Sequence, residues 1–303
     1  MKKIIPLVLV ISFFLVLKIS NNSIRLSDTN IYFNIAYQIV NGKLLYQDIF
    51  FSNFPVFAYL SSFYFLITGK NIELFYLTSS IEVAITTIFI YLIVFKKTKD
   101  YIVSIISALL YIFSFMVLST SDHQTGVFTA SLLAVLSYFF LQKGKMFLTG
   151  VCIALSLLTK AYFAPILISI FIYILLKRQW KNLSKLSIGF FLAAILVLLP
   201  FLLLAPKEFF SDIFGFSLTR PTGLSKINIM WFYITKDFPL FILLLFNILN
   251  IRKNVFFGLI SIFSIIFFFG YQDIFYLYLN FLTPFLCLSF YHVSHVNFFH
   301  QSK

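Results

Sequence analysis

At 303 residues, with 61% hydrophobic, 20% aromatic and 11% charged side chains and a mean hydropathy of +0.98, the chain is not a soluble globular domain. Its formal charge of +13 sits in short clusters between apolar runs, not in a basic stripe interleaved with aromatics. That pattern excludes nucleic acid as a partner and makes the lysines topology signals. Cys152 and Cys287 both fall inside apolar runs, so neither a disulfide nor a metal site is expected from them.

The repeated apolar runs predict a polytopic α-helical membrane protein, because backbone in hydrocarbon must satisfy its own hydrogen bonds. Lys2 and Lys3 precede the first run, 4–20; no small-x-small cleavage site follows, and a retained helix is expected. Residues 21–71 then read as a long outer loop with two surface helices, about 28–41 and 55–69. Nine further spans are expected over 72–95, 101–119, 125–141, 146–159, 161–176, 186–205, 237–250, 254–270 and 274–290, making about ten. The whole of 1–303 reads as one transmembrane domain without a soluble domain.

Charge decides the status of 55–69, an apolar run somewhat short for a span. If it does not cross, one side receives Lys2, Lys3, Lys96, Lys97, Lys99, Lys143, Lys145, Lys177, Arg178, Lys181, Lys185, Arg252, Lys253 and Lys303. These are most of the 23 basic residues, and only one acid, Asp100, joins them. The other side then holds Asp28, Asp48, Glu73, Asp122, Glu208, Asp212, Asp237 and Asp273. If 55–69 crossed, the later clusters would change sides and the bias would collapse. The expectation is a multi-pass plasma-membrane protein with both termini cytoplasmic.

Within the outer loop, Ile31, Ile35, Ile39 and Val40 recur at helical spacing, with Ser27 or Asp28 as N-cap and Gly42 as the stop. Asp28 alone supports two readings, a helix cap in a solvated loop or a general base at the water–membrane boundary. A connector carrying Tyr46 and Asp48 leads to the second surface helix.

The segment "SDTNIYFNIAYQIVNGKLLYQDIFFSNFPVFAYL" resembles the first outer loop of the GT-C superfamily of integral-membrane glycosyltransferases, which includes protein O-mannosyltransferases and enzymes that move aminoarabinose onto lipid A. An acid after the first span, an A-x-x-hydrophobic-x-x-G helix, a Y-x-D turn and a Pro-containing second helix carry the likeness. "STSDHQTGVFTASLLAVLSYFFL", with Asp122, and "FLTGVCIALSLLTKAYFAPILISIFIYIL", with Leu158-Thr159-Lys160, are similar to later segments of that family. The likeness covers roughly 1–200. It departs where many relatives carry a doubled acid, since Thr29 follows Asp28, and where some carry Pro-Pro against the single Pro55.

The resemblance implies an inverting transfer of a sugar from a polyprenyl-phosphate donor to a lipid, glycan or protein acceptor, with Asp28 as catalytic base. Lys160, flanked by two apolar runs, supports two readings, a lysine snorkelling at a span end or, on this resemblance, a partner for the donor phosphate. Arg220 in "FSDIFGFSLTRPTG" offers a second cation that can grip phosphate bidentately. Asp122, His123, Tyr46 and Asp48 complete the expected substrate-binding set. His123 with one neighbouring acid is a poor metal set, although some relatives hold a divalent cation near these acids, and none is firmly implied. Glu82, inside a span, is expected to find a structural hydrogen-bond partner. Two other readings stay open: a transporter or flippase for a lipid-linked or small anionic substrate, and a catalytically inactive relative.

Overall fold

A computed structural model of the chain describes residues 4–21, 27–219, 223–272 and 274–294. Its described residues form an all-helical polytopic membrane protein. The helices are α1 (Ile5–Ser20), α2 (Asp28–Val40), α3 (Val56–Ile67), α4 (Ile72–Thr98), α5 (Tyr101–Ile112), α6 (Phe115–Thr120), α7 (Val127–Gln142) and α8 (Met146–Thr159). After a 3-10 turn, Ala161–Phe163, come α9 (Ala164–Leu176), α10 (Trp180–Leu204) and α11 (Pro206–Phe210). A π-helical turn, Ser211–Gly215, joins α11 to α12 (Phe216–Thr219). The chain finishes with α13 (Lys226–Lys236), α14 (Phe238–Leu249), α15 (Val255–Gly270), a 3-10 segment Tyr276–Phe281, and α16 (Thr283–Ser294).

Two helices, α4 and α10, are long and apolar enough by themselves to cross a membrane, and the bent pair α13–α14 would make a third. Seven shorter apolar helices of 10–17 residues accompany them. α4 is central, with 67% of its apolar window buried, whereas α10 has 22% buried and turns Phe191, Ile195, Leu196 and Leu203 outward. In a bilayer that exposed face meets acyl chains, so its apolar side chains carry no penalty.

Several expected spans are interrupted, and 274–290 divides into the 3-10 segment Tyr276–Phe281 and α16. The run 101–119 divides into α5 and α6 because Asp237 reaches across: its carboxylate accepts the Phe115 N–H at 2.7 Å and the Met116 N–H at 3.0 Å. These are orphan donors of a helix start, so α6 begins where the carboxylate stands. The run 237–250 is likewise half of a bent element, with α13 meeting α14 at 106°.

α8 and α10 approach backbone to backbone. A Cβ on Gly150 would lie 2.0 Å from the Leu186 carbonyl oxygen, and one on Gly189 would lie 2.2 Å from that of Phe147. Small residues permit such contact, and dispersion across it holds the pair. Gly189→Ala is therefore expected to separate the helices and cost about 1–3 kcal/mol, read as a lowered melting temperature in detergent.

The segment 27–71 folds as a cap with its own core. Tyr32, Ile35 and Ala36 of α2, Leu45, Tyr46, Ile49 and Phe51 of the connector, and Phe57, Ala58 and Phe65 of α3 bury against Ala205, Phe209 and Ile213. The sequence-derived helices 28–41 and 55–69 correspond to α2 and α3, within two residues at each end.

Candidate active site

α2 starts at Asp28, and its first turn is held by neighbours of Asp28 rather than by Asp28 itself. Buried Thr29 accepts the Gln124 N–H at 3.0 Å. Ser27 Oγ lies 3.1 Å from the Tyr76 hydroxyl, which donates to Asn30 Oδ1 at 2.9 Å. Thr29, standing where a second acid is common in the resembling family, thus ties α2 to the 121–126 segment. The Asp28 side chain is exposed, and Tyr32, one helical turn on, shares its face.

Both residues line a cavity of about 160 Å³ with Lys160. Lys160 is 6% exposed and sits in extended backbone between α8 and the 161–163 turn. Its ammonium donates to the Tyr32 hydroxyl at 2.9 Å and to Asn53 Oδ1 at 3.3 Å. Ser52, Asn53, Phe54, Thr125, Ser217, Tyr162, Tyr271 and Tyr278 add to the wall. Tyr162 and Tyr278 stack with ring centroids 4.6 Å apart, giving one side an aromatic face. A carboxylate, an ammonium, hydroxyls and aromatic faces around one opening suit a polar substrate that carries negative charge.

The connector presents Asn53 to Lys160. Tyr46, at φ 69°, donates its hydroxyl to the Asn53 carbonyl at 2.7 Å, and its ring packs edge-on against Phe201 and Phe209. Burial foremost, then the field of Asp212, pushes the Tyr46 phenol well above its ordinary value, so it remains a hydrogen-bond donor. Asp48 accepts the Leu44 N–H at 2.8 Å and closes the turn. Neither Tyr46 nor Asp48 borders the cavity; both shape the connector that does.

Asp212, which the sequence marks only as one of the outer acids, clamps the opposite wall. Its Oδ2 accepts the Phe51 N–H at 3.0 Å, joining the connector to the segment that carries Ile213 and Ser217. Burial raises the Asp212 pKa above its ordinary 3.8; the Phe51 N–H opposes that rise and Glu208 adds to it. A raised folded-state pKa means the native state holds the proton more tightly than the unfolded one. Its contribution to stability is therefore greatest in acid and falls as pH climbs from the ordinary aspartate range through the raised value. Asp212→Ala is expected to cost about 1–3 kcal/mol by leaving the buried Phe51 N–H unmatched. Asp212→Asn should flatten the stability–pH curve over that acid range; thermal melts at several pH values check both.

Asp122 and His123 sit outside this lining. The Asp122 carboxylate lies 4.0 Å from the Lys18 ammonium and 3.7 Å from His123 Nε2, and Lys18 also donates to the Leu118 carbonyl. Asp122 therefore joins α1 to the 121–126 segment, outside the cavity lining. Among the described residues no three His, Cys, Asp or Glu side chains gather as a metal set, so this pair lacks a full set of donors and no step is routed through a cation. Arg220 lies outside the described residues.

Glu82 finds the partners expected of an acid inside a span. It accepts from the Tyr64 hydroxyl at 2.6 Å and from Thr129, and Gln124 Nε2 reaches it at 3.4 Å. Gln124 also donates to Thr78 at 2.8 Å. This network fixes the backbone that Thr29 reads, two steps from Asp28. Gly126, at φ 82°, completes the segment, and a Cβ there would strike the Phe57 ring at 2.6 Å.

A second opening adjoins the cavity. Leu44, Leu45, Pro55, Val56, Tyr59, Leu155, Val197, Pro200, Phe201 and Leu204 border an apolar space of about 480 Å³. The stretch 52–56 serves both spaces, with Ser52, Asn53 and Phe54 in the polar one and Pro55 and Val56 in the apolar one.

The family described as dolichyl-phosphate-mannose-protein mannosyltransferase matches residues 52–204. A crystal structure of ArnT from Cupriavidus metallidurans bound to undecaprenyl phosphate aligns at a TM-score of 0.75 and 13% identity, covering 97% of this chain and 60% of that one. The apo crystal structure of the same protein gives the same values. This chain thus spans 60% of the length of the solved structures it matches, and the likeness is one of fold. No curated protein sequence matches it significantly.

Proposed function

The chain belongs to the GT-C superfamily of integral-membrane glycosyltransferases, matching the dolichyl-phosphate-mannose-protein mannosyltransferase family over half its length; from that premise we propose that it transfers a sugar from a polyprenyl-phosphate donor at the Asp28 cavity. One observation carries the reading: an exposed carboxylate and a buried ammonium line one polar cavity, and an apolar space opens beside it. A lipid-linked sugar phosphate has the matching sequence of parts, namely sugar, anion and hydrocarbon. The crystallised ArnT bound to undecaprenyl phosphate supports this donor class.

Asp28 acts as general base, taking the proton from an acceptor hydroxyl or amine as that group attacks the anomeric carbon. The new bond forms on the face opposite the phosphate, the anomeric C–O bond breaks, and the configuration inverts. Lys160 holds the phosphate and steadies the charge that grows on its oxygen. Tyr32 and Asn53 orient the ammonium, while Tyr162 and Tyr278 offer the sugar an aromatic face. Arg220 is a second phosphate partner in this reading. Asp122 and His123 position the segment that borders the acceptor side.

The test is transfer by the purified chain in proteoliposomes supplied with a labelled polyprenyl-phosphate sugar and membrane lipid or glycan acceptors. The reading expects label to leave the donor and appear in acceptor, with free polyprenyl phosphate released in equal amount. Label that crosses the bilayer while still attached to its donor would favour a flippase instead.

A further inference from the structure

The lysine-rich end of the bundle holds a separate cavity of about 220 Å³, bordered by Ile93, Lys96 and Lys97 of α4, by Phe139 and Gln142 of α7, and by Lys143 just after it. α7 connects the two ends: Val127, its first residue, borders the Asp28 cavity, and Gln142, its last, borders this one. At about 1.5 Å rise per residue, its 16 residues separate the sites by roughly 24 Å, comparable with a bilayer core of about 30 Å.

The lining is amphipathic. Ile93 and Phe139 supply an apolar floor, and the Lys143 ammonium stands 4.1 Å from the Phe139 ring centroid. The rim is three ammonium groups and one amide. A fourth cation, Lys177 at the end of α9, rests 4.3 Å over the Tyr173 ring and repels Lys97 along with Lys96. Among the described residues none of these four lysines meets a carboxylate in a salt bridge. The nearby Asp100 is occupied as a helix cap, accepting the Ile102 N–H at 2.7 Å. Clustered like charges at the edge of hydrocarbon repel one another in a medium that screens poorly, and a bound anion relieves them.

We propose that this pocket binds the phosphodiester headgroup of an anionic glycerophospholipid from the leaflet at the lysine-rich end. Lys96, Lys97 and Lys143 surround the phosphate, and the Gln142 amide donates to a phosphate or glycerol oxygen. The floor of Ile93 and Phe139, with exposed Leu92 beside it, meets the start of the acyl chains. That floor selects a lipid over a free anion, because inorganic phosphate gains nothing from an apolar surface. The site is independent of the transfer reaction and lies at the other end of the bundle from Asp28.

Native mass spectrometry of the full chain in detergent tests this, with phosphatidylglycerol and phosphatidylcholine added in equal amounts. Wild-type chain is expected to retain phosphatidylglycerol preferentially. Lys97→Gln/Lys143→Gln should lower that adduct about tenfold, and Lys97→Arg/Lys143→Arg should keep it. Lys181→Gln/Lys185→Gln removes the same charge from the same end outside the pocket and should leave it unchanged. If the first pair does not purify, Lys143→Gln alone, at an exposed position, gives a smaller loss in the same direction. Equal losses in the two Gln pairs, equal retention of both lipids, or displacement of the lipid by millimolar inorganic phosphate would each overturn the assignment.

Discussion

Asp28→Asn is expected to fold like the native chain and to lose about 10²- to 10⁴-fold in transfer rate, the range typical of a removed general base. The two halves of that expectation have separate physical grounds. The first turn of α2 is secured by Thr29 on Gln124 and by Ser27 and Asn30 on Tyr76. Among the described residues the Asp28 carboxylate makes no hydrogen bond or salt bridge. What it gives the fold is a charge in the first turn of a helix, worth about 0.3–1 kcal/mol at a surface. The amide of Asn retains shape and can still accept a hydrogen bond, but it cannot take a proton near neutral pH. Transfer rates in proteoliposomes, read beside a thermal melt, separate the two effects. Full activity in a folded Asn variant would remove Asp28 from the chemistry.

Lys160→Gln is the second large expected effect: a fall of about 10- to 100-fold in kcat/KM, most of it as a higher KM for the donor. A hydrogen bond to a charged group is worth about 1.5–3 kcal/mol, which corresponds to that range at about 1.4 kcal/mol per tenfold. Lys160 is 6% exposed and donates to the Tyr32 hydroxyl and to Asn53 Oδ1. A phosphate in the cavity that Lys160 lines would meet its charge where water screens it weakly. A buried lysine is also costly to the apo fold, so the Gln variant is expected to melt no lower than wild type. An unchanged KM together with a reduced melting temperature would make Lys160 a structural residue only. Donor titration and melting on the same preparation discriminate the two.

The parts of the site that were legible in the sequence are those carried by local pattern. Asp28 lies at a helix-start signal and Lys160 interrupts two apolar runs, and the structure brings both to one cavity; Tyr32, which meets the Lys160 ammonium there, has no sequence signal of its own. Apolar length likewise located α8 at Met146–Thr159 and α3 at Val56–Ile67 to within a residue or two. Long-range contacts left no such trace. Nothing in "YIVSIISALLYIFSFMVLS" shows a break, because its cause is Asp237, more than a hundred residues away. Asn53, Ser217 and Tyr278 are ordinary loop or aromatic residues until the connector, α12 and the 276–281 segment carry them to the cavity that Lys160 lines. An expected side of the membrane groups Asp122 and His123 with Asp28, a criterion too coarse to show that they fall outside the cavity lining, where Asp122 meets Lys18.

Three groups of contacts, none involving Asp28 directly, fix its surroundings: the Glu82–Gln124 network under Thr29, the Tyr46 hydroxyl on Asn53, and the Asp212 clamp on Phe51. Each ties a segment of the cap to the bundle or to another part of the cap. Helical spans supply rigidity, and the cap supplies the polar groups that a bilayer interior disfavours.

The central claim is that a polyprenyl-phosphate donor places its phosphate at Lys160 with its sugar toward Asp28. The most direct measurement is an experimental structure of the chain with a polyprenyl phosphate bound. The account predicts phosphate density within hydrogen-bonding distance of the Lys160 ammonium, inside the cavity walled by Asn53 and Tyr278, with the hydrocarbon leading toward Pro55, Val56 and Phe201. Phosphate bound elsewhere, with the Asp28 cavity empty, would contradict it.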